Sequence, residues 1–79
     1  MLHNMTIEQI LNAAYSDIVR NINRGTFTGM TAPDDPSWEG ENFYTITSLY
    51  SQWAVNVTEA EQALWAMYEE QFGQFLIEI

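Results

Sequence analysis

The sequence predicts an all-α fold, a small three-helix bundle with a long loop between helices 1 and 2. Apolar residues recur at helical spacing in three windows, helix-start signals precede the first and third, and glycines and prolines crowd between the first and second. A chain of 79 residues makes one domain. Without cysteine it has no disulfide or thiolate staple, so stability must come from an apolar fraction of 47% rich in Trp, Phe and Tyr.

Helix 1 is expected from about Thr6 to Arg24. Thr6-Ile7-Glu8-Gln9 reads as a capping box, in which the Thr6 hydroxyl accepts from the Gln9 amide and the Gln9 side chain reaches back. Ile7, Leu11, Ala14, Tyr15, Ile18, Val19 and Ile22 form an apolar arc, with Asp17, Arg20 and Arg24 on the other side. Asp17 is expected to pair with one of the arginines at the surface. Gly25 is a C-cap candidate.

Residues 25–41 form a loop punctuated by Gly25, Gly29, Pro33, Pro36 and Gly40. Helix 2 is expected from about Glu41 to Ala54, on the period of Phe43, Ile46, Leu49, Tyr50 and Trp53. Tyr44-Thr45-Ile46-Thr47 also fits a strand, being β-branched and aromatic. Helix 3 is expected over about 58–77. Thr58-Glu59-Ala60-Glu61 reads as its capping box, and Gly73 as a weak point inside it. Its arc runs through Ala60, Leu64, Trp65, Met67, Tyr68, Phe72, Phe75, Leu76 and Ile79.

No motif spells out a reaction. Asp35-x-Ser37-x-Glu39-Gly40-Glu41 starts like a calcium loop, but its ninth and twelfth positions are Phe43 and Ile46, where oxygen ligands are required. One histidine and no cysteine leave zinc without a ligand set. The carboxylate pairs lie in a loop, at a helix start or on a solvent face, not in a cleft that would split their pKa values. A bundle this small leaves little room for a ligand cleft. The expectation is therefore a protein that is not an enzyme and needs no metal or cofactor. No run approaches the roughly 18 apolar residues of a membrane span. Met1-Leu2-His3-Asn4-Met5 lacks the marks of a signal peptide, so a cytoplasmic location is expected.

Charge is the informative feature. The chain has no lysine, two arginines and eleven acids, for a net charge of -9. Such a field repels nucleic acid and anionic membrane and attracts basic protein surfaces. Glu8, Glu59 and Glu61 suit helix N-termini. Asp34, Asp35, Glu39 and Glu41 surround Trp38 in the loop, while Glu69 and Glu70 stand where the dipole of helix 3 prefers cations. These six acids, with Trp38 and Tyr44, are the candidate partner-binding residues. Trp38 fits two roles, core filler beneath the loop or an apolar anchor with an acidic rim. Tyr44 falls off the apolar arc of helix 2.

Small size, strong acidity and the absence of lysine, cysteine and a reactive motif resemble, in type, the phage-encoded anti-CRISPR and anti-restriction proteins that mimic DNA. Asn4-Met5-Thr6, Ala14-Tyr15 and Asn21-Ile22 are similar to the opening of one anti-restriction mimic, over about a quarter of the chain. The chain is shorter and less acidic than that pattern and lacks its acidic tail. The resemblance therefore implies a patch-sized blocker of a basic, nucleic-acid-binding protein surface, acting in a host cytoplasm. The competing expectation is a non-enzymatic interaction module that oligomerises through its aromatic helix faces, with the acidity serving solubility.

Overall fold

A computed structural model describes residues 4–30 and 40–76. The chain is a three-helix bundle of α1 (Ile7–Arg24), α2 (Phe43–Ser51) and α3 (Val57–Gln71), followed by a 3-10 turn at Gly73–Phe75. Among the described residues there is no strand, only the isolated bridges Met5↔Ala54 and Phe27↔Glu41.

The capping box at α1 forms as its sequence dictates. Gln9 N–H donates to Thr6 Oγ1 at 3.1 Å, and Thr6 N–H donates to Gln9 Oε1 at 2.9 Å. Gly25 closes the helix in the left-handed region, at φ 75°. The buried stripe is rotated from the expected arc. Ile10, Ala14 and Ile18 are fully buried, Tyr15 is 43% exposed, and Asp17 and Asn21 turn inward. The surface pairing expected for Asp17 is thus corrected: its bond to Arg20 belongs to a buried carboxylate.

The residues that also fit a strand are helical, and their hydroxyls explain how. Asn42 caps α2 by accepting from Thr45 N–H at 2.9 Å, and Thr45 Oγ1 accepts from Asn42 N–H at 2.9 Å. The Thr47 hydroxyl lies 2.7 Å from the Phe43 carbonyl and 2.9 Å from the Tyr68 hydroxyl, so its polar atom is satisfied inside the core. The helix stops at Ser51, short of the expected Ala54, because Trp53 and Ala54 donate three residues back in tight turns.

α3 begins one residue earlier than expected and with a different cap. Asn56 Oδ1 accepts from Glu59 N–H at 3.0 Å, so the Thr58–Glu61 box is not the start signal. Asn is at least as good an N-cap as Thr, and starting here places Ala60 in the core. Gly73 is not a helix-interior glycine, since α3 ends at Gln71 and Gly73 opens the 3-10 turn.

Phe43 organises the core. Its ring stacks on Tyr68 at 4.5 Å, meets Phe27 edge-on at 5.0 Å and lies 5.9 Å from Trp65. Burying such a side chain contributes about 1.5–3 kcal/mol relative to exposure. Phe27 also meets Phe75 edge-on at 5.7 Å, which brings the turn after α1 against the end of α3. Gly29 makes that approach possible: at φ 70° its missing Cβ would stand 2.8 Å from the Phe75 carbonyl oxygen. At the opposite end, Met5 N–H donates to the Trp53 carbonyl at 3.1 Å. The starts of α1 and α3 therefore share one end, and the start of α2 shares the other with their C-termini.

Candidate functional site

Asp34, Asp35, Trp38 and Glu39 lie outside the described residues. The backbone on either side of them is tied together. Thr28 N–H donates to the Glu41 carbonyl and Glu41 N–H to the Thr26 carbonyl, both at 2.9 Å. Phe43 N–H donates to the Gly29 carbonyl at 2.9 Å. The acidic segment therefore leaves and rejoins the bundle where Phe27 packs on Phe75.

Two expected site residues, Tyr44 and Glu69, each neighbour Trp65, the first by ring contact and the second by helical spacing. Tyr44, in the first turn of α2, is 48% exposed and meets the Trp65 ring edge-on at 5.5 Å. Glu69 follows Trp65 by one turn of α3 and, like Glu70, is exposed. The last turn of α3 holds no basic residue, so the carbonyl end of the helix adds to their negative field. Every described acid except Asp17 and Glu41 is exposed. The uncharged face of α2 bears an open groove of about 540 Å³ lined by Tyr44, Thr45, Ser48, Leu49 and Gln52. It is larger than the expectation of little ligand room allowed, but it lies along one helix rather than between elements.

Glu41 behaves differently from its neighbours. Its carboxyl turns toward a polar cluster that the sequence reading missed. Asp17, 4% exposed, is the hub of that cluster. Asp17 Oδ1 accepts from Arg20 at 3.0 Å and from Asn21 Nδ2 at 2.9 Å, and Oδ2 accepts from the Tyr50 hydroxyl at 2.7 Å. Asn21 Nδ2 also donates to the Asp17 carbonyl at 2.9 Å, and Asn21 Oδ1 accepts from the Thr26 hydroxyl at 2.7 Å. Glu41 Oε2 is buried beside this cluster with no hydrogen-bond partner. Burial raises the Glu41 pKa above its ordinary 4.5, the Asp17 charge adds to the rise, and Arg20 and the Asn21 amide oppose it by less. Burial, with the bond to Asp17, pushes the Tyr50 phenol up to about 12. Burial likewise pushes Tyr68 up to about 12 against the opposing bond to Thr47. The Asp17/Asn21 spacing was the available signal for the cluster, since residues four apart share a helix face.

Among the described residues, no group of three metal-ligating side chains occurs and no helix is long and apolar enough to cross a membrane. The fold and surface define a class: a small all-α bundle with a neutral flank on α2 and uncompensated acids late in α3. No protein-family model, no curated protein and no solved structure matches the chain.

Proposed function

We propose that this protein is a non-enzymatic acidic inhibitor. It occupies a basic, nucleic-acid-binding surface of a host protein or complex and keeps nucleic acid away from it, in the manner of an anti-CRISPR or anti-restriction blocker. The observation that carries this reading is the junction of Tyr44, Trp65 and Glu69. An exposed tyrosine packed edge-on against a half-buried tryptophan stands beside uncompensated carboxylates, at the end of the bundle where the Asp34–Glu41 segment is rooted. Carboxylates on a rigid scaffold can take the place of backbone phosphates, and arginine binds them bidentately. The aromatic pair supplies the apolar anchor that such a rim surrounds. Glu41 is the weakest of the expected partner-binding residues, because its carboxyl is drawn inward.

The test is equilibrium competition. Proteins captured from a host lysate are identified, purified and titrated with the inhibitor at rising salt, with and without duplex DNA. DNA should compete, and affinity should fall steeply with salt, since the contacts replace phosphate contacts. A complex indifferent to DNA at every salt concentration overturns the mimicry. The alternative, a self-associating module, draws support from the neutral α2 face, where Leu49 is 40% exposed. Its expected interface of aromatic faces is largely spent inside the bundle, on the Phe43, Tyr68 and Phe72 rings. Light scattering that finds a stable dimer would favour it.

A further inference from the structure

Glu41 combines a backbone that closes the base of the 31–39 segment with a side chain whose Oε2 has no donor to accept. The surrounding donors bond mainly within the Asp17 cluster. Asn21 Nδ2 donates to the Asp17 carbonyl and to Asp17 Oδ1, the Tyr50 hydroxyl goes to Asp17 Oδ2, and the Thr26 hydroxyl goes to Asn21 Oδ1. Arg20 donates to Asp17 Oδ1, and its side chain is 60% exposed. The groups facing the Glu41 carboxyl are Asp17, Arg20 and Asn21 from α1 and Tyr50 from α2.

We infer that Asp17 and Glu41 form a proton-operated latch on the base of the acidic segment. With a proton on Glu41, its carboxyl becomes a donor and Asp17 a partner with lone-pair capacity to spare. Without it, two carboxylates face each other and Glu41 Oε2 stays buried and unsatisfied. That state pulls Glu41 outward and loosens the Thr26–Thr28 bridge to the Glu41 backbone. Acidification closes the latch, and neutral pH or a partner's cation favours its opening.

The sign follows from linkage. The Glu41 pKa in the folded chain lies above the ordinary 4.5, so the folded form holds the extra proton between those two values. The latch contributes fully below about 4.5 and is lost as pH rises through the folded value.

The experiment is a carboxyl ¹³C NMR titration of the full chain, with hydrogen-exchange protection of the Thr28 and Glu41 amides measured at each pH. The Glu41 signal should titrate above 4.5. Protection of the two amides should fall in the same window, by about tenfold for each unit of elevation. Glu41→Gln supplies a neutral donor at every pH and should hold both amides protected at pH near 7. Asp17→Asn should return the Glu41 midpoint toward its ordinary value. A Glu41 midpoint at or below 4.5 overturns the latch. So does bridge protection that stays constant through the Glu41 titration. The wild-type titration alone decides the matter if either variant fails to fold. Neither measurement involves a partner, so the latch and the proposed inhibition fail independently.

Discussion

Tyr50 and Tyr68 each bond a hydroxyl to a buried side chain, but the two bonds differ in what their loss leaves behind. Tyr68→Phe removes the partner at 2.9 Å from Thr47, whose hydroxyl keeps the Phe43 carbonyl at 2.7 Å. Nothing is orphaned, and the cost should be about 1 kcal/mol. Tyr50→Phe deprives the buried Asp17 Oδ2 of its donor at 2.7 Å. A bond to a charged group is worth about 1.5–3 kcal/mol, so this variant should be the less stable of the two. Urea unfolding of both at pH near 7 measures the order, and the reverse order would show that Asp17 finds another donor. The same residue marks where sequence reading stops. A helical-period argument places an aspartate on the polar side, and Asp17 is inside because a hydroxyl 33 positions later reaches it. That pairing is tertiary, and no local pattern encodes it.

At the level of elements, what was legible in the sequence was what local chemistry decides. Thr6 and Gln9 form the reciprocal box their types and spacing require, and Gly25 ends α1 because only glycine takes φ 75° without cost. The bundle itself was legible from apolar periodicity. The start of α3 was misplaced because two valid caps stand close together, Asn56 and Thr58, and periodicity alone does not rank them. Their roles separate by mutation. Asn56→Ala should cost about 1 kcal/mol by removing the acceptor for Glu59 N–H, while Thr58→Ala should stay within about 0.5 kcal/mol. Thermal unfolding of the two variants compares them directly, and equal losses would mean that the helix start shifts between the caps. α2 shows the complementary lesson. Its β-branched threonines argue for a strand only while their hydroxyls are ignored, and here Thr45 caps the helix and Thr47 joins the core.

Over the whole molecule, the net charge of -9 is divided between inside and outside. Asp17 and Glu41 belong to the polar cluster, and their reversal would disrupt folding whatever the partner does. Late α3 offers a cleaner test of the acidic surface. Glu69 and Glu70 are exposed at the carbonyl end of a helix with no basic residue in its last turn, so fold stability alone favours cations there. Glu69→Lys with Glu70→Lys changes the net charge from -9 to -5 and relieves both the dipole mismatch and the self-repulsion. After solvent screening the gain is a few tenths of a kcal/mol per site. The double variant should therefore unfold at slightly higher denaturant than wild type while its partner affinity falls at least tenfold at low salt. Asp34→Lys, Asp35→Lys and Glu39→Lys together should weaken binding in the same assay, with Glu41 left intact to keep the polar cluster. Loss of binding alongside retained or improved stability is the signature of acids kept for a partner. If both sets gain stability and neither loses affinity, these carboxylates serve solubility, and the neutral face of α2 becomes the surface to map.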